Sequence, residues 1–263
     1  MKTAKLEKVG VEVVRTKRRR RRHSKVPLLM GSKEQTRHWV VQNATMSVAP
    51  GDCIFLLDPE GNRSAILMKV LTGLVLPDAG TVVHRGRSLM LTAPSRGWVK
   101  SLSLGQAGRL LGGMYGMTDE EIDDRIEAGM DFAGLTDKSW KPSEEFERRI
   151  IRQLAFSLGT TAPVKLLGLD QMAVVGTPEF RLKCVPRIRE LMADGTSVVV
   201  IDRDPNLIPQ LATRAIRVKR KKLVEISVAE AEDLSREWAQ SKRYARRRLR
   251  KDTSEDDEHE DFI

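Results

Sequence analysis

Short apolar runs too dense for a one-sided strand set the fold of this chain. Residues 53–57 read Cys-Ile-Phe-Leu-Leu, and residues 197–201 read Ser-Val-Val-Val-Ile. A third run, 164–169, is broken only by Lys165 and Gly168. A strand apolar at nearly every position has to be covered on both faces, as in a parallel sheet between layers of helices. Stretches with helical apolar spacing lie between these runs, at 64–71, 149–158 and 179–192, the last capped by Gly195. Strands alternating with helices predict an α/β fold. At 263 residues the chain can bury one substantial core, with room for a small inserted subdomain.

The first run leads into Phe55-Leu-Leu-Asp-Pro-Glu-Gly-Asn-Arg-Ser-Ala-Ile-Leu-Met-Lys-Val-Leu-Thr-Gly73, laid out like a phosphate-binding strand, loop and helix. Such a loop reads G-x-x-x-x-G-K-S/T. Its amides cradle the phosphates, its lysine reaches the β/γ oxygens and its hydroxyl holds Mg²⁺. Here Asp58 and Arg63 stand at the glycine positions, Ser64 at the lysine and Ala65 at the hydroxyl, while Pro59 and Gly61 are kept. A carboxylate falls where phosphate would lie and the ammonium is missing. Read alone, Gly61 marks an ordinary turn before an ordinary helix.

Four further segments follow in register. Leu74-Val-Leu-Pro-Asp-Ala-Gly-Thr-Val-Val83 resembles the L-x-x-P-D-x-G-x-V element after the phosphate loop of ABC-transporter nucleotide-binding subunits. Leu166-Leu-Gly-Leu-Asp-Gln-Met-Ala-Val-Val-Gly-Thr-Pro-Glu-Phe-Arg-Leu-Lys-Cys184 resembles L-L-L-D-E-V-L-A-V-G-D-x-x-F-x-x-K-C, typical of the branch that exports capsular polysaccharide, O-antigen and teichoic acid. Gly195-Thr-Ser-Val-Val-Val-Ile-Asp-Arg-Asp204 is similar to G-x-T-V-V-L-V-S-H-D, and the stretch from Ala215 to Val224 parallels the closing strand pair. The resemblance runs from about Trp39 to Ile226. It implies a P-loop NTPase-like ABC ATPase core, with a mixed sheet and an inserted helical subdomain that contacts a permease.

Residue by residue, the resemblance implies a stripped site. Asp170 matches the Mg²⁺-organising aspartate and Gln171 the following glutamate; an amide cannot accept a proton from water. Arg203 stands at the switch histidine and Thr177 at the dimer-contact aspartate. The phosphate-gripping signature falls on Glu147-Arg-Arg-Ile150, where side chains stand in place of close backbone approach. The helical-subdomain glutamine has no counterpart near Trp98 and Val99. Losing lysine, base and switch together would cost roughly 10²–10³ for each electrostatic contact removed. The expectation is a pseudo-ATPase with no catalytic residue and no resident cofactor, ATP with Mg²⁺ being what an intact loop would take.

The implied segments are a basic N-terminal part (1–32), a first core part (33–99), the helical subdomain (100–146), a second core part (147–228) and a charged helix with acidic tail (229–263). Within them, residues 9–15 and 39–47 read as strands, glycines punctuate 104–116, and Thr118 with Glu121 forms a capping box opening a helix over 120–133. Residues 229–250 read as one charged helix. No apolar run approaches the ~20 residues that span a bilayer, and no secretory segment opens the chain. A peripheral place at the inner membrane face is expected. Cys53 and Cys184 lie in apolar segments and read as core; the four histidines show no ligand spacing, so no metal site is expected.

The net charge of +10 is concentrated in Lys17 to Arg22 and in Lys242 to Lys251, before an acidic end. Such runs suit anionic lipid, at about 1 kcal/mol per basic residue near the surface. Nucleic acid is not expected, because no stacking platform or recognition motif accompanies the charge. The leading expectation is a structural or regulatory partner of a permease, of an active ATPase-like subunit, or of both, in polysaccharide export. The alternative is an exporter subunit that binds ATP with Arg63 or Lys69 in the lysine's role.

Overall fold

The computed structural model describes residues 2–17, 34–58, 63–94 and 101–241. Two sheets organise it. A central sheet has the order β5-β6-β7-β3-β8-β9, built from Ser88–Leu91 (β5), Leu166–Asp170 (β6), Ser197–Ile201 (β7), Cys53–Leu57 (β3), Arg214–Lys219 (β8) and Lys222–Ile226 (β9). Its first five strands run parallel and β9 is antiparallel to β8, so the sheet is mixed. A smaller antiparallel sheet, β2-β1-β4, comprises Glu34–Val48 (β2), Ala4–Lys17 (β1) and Ala79–His84 (β4).

The apolar runs are buried on both faces for the reason their composition implies. Along β3, Cys53, Phe55 and Leu57 face one core and Ile54 and Leu56 the other. In β7, Val198 and Val200 alternate with Val199 in the same way, as a period of two requires. One core lies between this sheet, the small sheet and α1 (Arg63–Leu71), which contributes Leu67, Met68, Val70 and Leu71. At Gly168 of β6 a Cβ would stand 3.0 Å from Met68 Sδ, so the missing side chain lets α1 lie close on the sheet.

The other face carries α2 (Leu104–Met114), α3 (Asp119–Ala133), α4 (Arg148–Gly159) and α5 (Pro178–Ala193), with short α6 (Ile208–Leu211) and α7 (Val228–Gln240) near β8. The glycine-punctuated stretch is a helix, α2. Cβ atoms at Gly108 and Gly112 would stand 2.8 Å from Ile126 and Ile122 of α3, so the glycines permit close packing of two helices. The expected cap of α3 is present: Thr118 Oγ1 accepts from Glu121 N at 3.2 Å, and Glu121 Oε2 accepts from Thr118 N at 3.0 Å.

The charged C-terminal helix is shorter than expected. It ends at Gln240, where Ser241 turns extended (φ −64°, ψ 133°) with its N–H on Glu237 and Trp238 carbonyls. Residues 242–263, and the basic run beyond Lys17, lie outside the described residues. Both cysteines are free and buried, and burial pushes the Cys53 thiol up to about 12. No helix among the described residues is long and apolar enough to cross a membrane.

Candidate functional site

The carboxyl ends of β3, β7 and β6 lie side by side, because β7 pairs with both neighbours: Phe55 with Val200, and Leu169 with Val200 in turn. Asp58, Asp202 and Asp170 therefore stand along one edge, where α/β folds place their ligands. Pro59 and Gly61 of the expected loop lie outside the described residues; Asp58, Arg63, Ser64 and Ala65 are described.

Asp58 does not point outward. Its side chain is 0% exposed, and Oδ2 accepts from Arg63 N at 2.6 Å and from Ser64 N at 3.4 Å. These are the leading amides of α1, the positive end of the helix dipole. Arg63 Nη1 lies 3.7 Å from Oδ1, and Oδ1 is buried without a hydrogen-bond partner. Ser64 is 4% exposed and Ala65 half-buried, so the first turn of α1 presents neither ammonium nor open hydroxyl. Lys69 lies exposed in the last turn, at the other end of the helix. It does not take the place of the missing lysine.

At the end of β6, Asp170 is followed by Gln171 in a left-handed conformation, φ 53°, which costs a non-glycine residue roughly 1–2 kcal/mol. Its backbone is held at both polar atoms: Gln171 N donates to Ile201 O at 2.8 Å, and Arg152 Nη2 donates to Gln171 O at 2.6 Å. Asp170 and Gln171 line an open cleft of about 280 Å³ with Arg148, Arg149 and Arg152 of α4. No side chain caps α4 at Glu147, which instead pairs with Arg149 at 2.8 Å. Thr177 is a helix cap, its Oγ1 accepting from Phe180 N at 3.3 Å.

Past β7, Arg203 is exposed and its N–H donates to Asp202 Oδ1 at 2.7 Å. Burial raises the Asp202 carboxyl, and amide hydrogen bonds from Asp204 and Arg203 oppose it. Neither Asp202 nor the anchoring role of Arg152 stood out in the sequence. A signal was available for Asp202, a charge closing a strand otherwise apolar. Among the described residues no three of His, Cys, Asp and Glu converge as a metal-ligand set.

No family model matches the chain. It is 22% identical to the O-antigen export system ATP-binding protein RfbB of Klebsiella pneumoniae over 203 residues, 77% of this chain and 81% of that protein. It is 24% identical to the ABC transporter protein AbcA of Aeromonas salmonicida over 180 residues, 68% of this chain and 58% of the other. With the teichoic acids export ATP-binding protein TagH of Bacillus anthracis the identity is 25%, over 72% of this chain and 34% of TagH. The chain thus spans little more than half of AbcA and a third of TagH.

Among solved structures, a nucleotide-free ATP-binding cassette of an ABC transporter superposes with a TM-score of 0.65 at 13% identity, covering 89% of this chain and 95% of that one. A dimeric cassette bound to ADP and Pi gives 0.64 at 16%, covering 86% and 98%. The fold is that of an ABC ATPase cassette, and the chain's homologues include ATP-binding proteins of O-antigen and teichoic acid export.

Proposed function

We propose that this chain is an ATP-binding-subunit homologue of a polysaccharide or teichoic acid export system that turns over no ATP itself. It serves a membrane permease, and an ATPase-like partner subunit, as a structural or regulatory component on the inner face of the membrane. The observation that carries this reading is the first turn of α1. Buried Ser64 and half-buried Ala65 stand where the chemistry needs an ammonium and a metal-binding hydroxyl.

Phosphoryl transfer depends on positioning and charge, so those two losses remove most of what the protein would contribute. Gln171 and Arg203 compound them, since neither supplies the base or the neutral switch imidazole. The relatives RfbB and TagH, ATP-binding proteins of O-antigen and teichoic acids export, support the transport assignment. Leu110 and Met114, exposed and one turn apart on α2, offer the permease an apolar contact. Lys17 to Arg22 would add attraction to anionic lipid.

The test is Mg²⁺-dependent ATP hydrolysis by the purified full chain, beside Asp170→Asn. The reading expects both at background. Turnover that the substitution abolishes would overturn it.

A further inference from the structure

A helix that follows a strand and loop in an α/β fold can offer its leading amides to a bound anion. Here that seat is filled from within. We propose that the Asp58 carboxylate is a built-in occupant of the anion seat at the start of α1, and that it is the residue excluding phosphates from this site. The inference rests on the reading above and adds a cause to it: the leading amides of α1 are occupied, in addition to the missing lysine and hydroxyl.

Three observations carry it. The carboxylate reaches across five positions to bind Arg63 N at 2.6 Å, with Ser64 N at 3.4 Å. Its side chain is 0% exposed at the helix terminus. The guanidinium of Arg63 lies 3.7 Å from its second oxygen, close enough to supply a counter-charge. A phosphate entering this seat would meet a fixed negative charge in place of free N–H donors. Like charges in contact oppose one another. The residues present therefore do not fit a triphosphate, for a reason of occupancy as well as missing groups.

Replacing the side chain should open the seat. Asp58→Gly deletes the internal anion; Asp58→Asn keeps an acceptor for the Arg63 amide and removes the charge. Full-length wild type and both variants are titrated with inorganic phosphate and, separately, with Mg²⁺-ATP. Calorimetry and thermal unfolding are followed at constant ionic strength, with chloride as the control. Wild type is expected to respond to neither ligand beyond the chloride control. Asp58→Gly is expected to unfold at a lower temperature and to be restored by millimolar phosphate, binding it at least tenfold tighter than wild type. Asp58→Asn is expected to show a smaller gain.

Equal phosphate affinity in wild type and folded Asp58→Gly overturns the proposal. Should the glycine variant not fold, the phosphate response of Asp58→Asn decides: a gain supports the internal anion and none refutes it. Failure here, with wild type still inactive, leaves the pseudo-ATPase reading standing and removes only its explanation by occupancy. Wild-type turnover would instead remove the reading itself.

Discussion

Single residues hold strain and charge in ways that separate structure from chemistry. Lys221 has φ 74° and Arg220 φ 47°, in the two-residue turn closed by the Lys219 and Lys222 pair of β8 and β9. Tight hairpins need positive φ at both central residues, which glycine adopts without penalty. Lys221→Gly should stabilise the protein by about 0.5–1 kcal/mol. Urea denaturation at pH 7 checks this, and a loss of stability would contradict it.

Asp202 makes a complementary prediction in pH. Burial raises its carboxyl above the ordinary 3.8. The folded state therefore holds this proton more tightly than the unfolded chain, and stability falls as pH climbs from about 3.8 through the raised folded value. Above that value the penalty is complete. Asn keeps the acceptor for Arg203 and Asp204 amides without a charge, so Asp202→Asn should be the more stable protein at pH 7. The two should converge below the ordinary carboxylate value. Denaturation midpoints at both ends of the range measure it; wild type more stable at neutral pH would refute it.

Whole elements follow local rules where those rules are strong. The Thr118 box starting α3 was readable from four residues, and the same S-x-x-Q pattern at Ser103 and Gln106 starts α2. There the glycines of α2 obscured the signal, because their low helix propensity is overridden by close packing on α3. α5 runs through Pro186 although proline removes a backbone bond. The Thr177 cap starts it, and a left-handed Gly195 (φ 84°) ends it with Thr196 N on Leu191 O at 2.9 Å. Burial of Phe180, Cys184 and Ile188 holds its middle.

Gln153 ties three of these elements together. Its Nε2 donates to Ala133 O of α3 at 2.5 Å and its Oε1 accepts from Thr177 N, ahead of α5, at 3.1 Å. Gln153→Ala would leave a buried carbonyl and a half-buried amide without this partner, at a cost of about 1–3 kcal/mol. A change below about 0.5 kcal/mol in urea titration would show that the helices are not joined there.

Across the whole molecule, the frame was more legible than the site. Strands buried on both faces betray themselves by composition, and motif order locates α1, β6, β7 and the β8–β9 pair. The loop alignment put the Asp58 carboxylate at the phosphate's place but did not show its bonds to Arg63 N and Ser64 N, since a residue at a loop's start has no periodicity to say which way its side chain turns. Only the structure shows it folding back onto α1. The end of α7 at Ser241 likewise depends on a local turn that a run of charged helix formers conceals. The basic residues after Lys17 lie outside the described residues, and their proposed contact with anionic lipid rests on charge alone.

The central claim is that an ABC ATPase cassette fold stands here without a working nucleotide seat. Its most direct test is equilibrium titration of the purified full chain with a fluorescent ATP analogue and Mg²⁺, competed by unlabelled ATP. The account predicts no saturable, competable signal up to millimolar nucleotide. A saturating signal that unlabelled ATP displaces would contradict it.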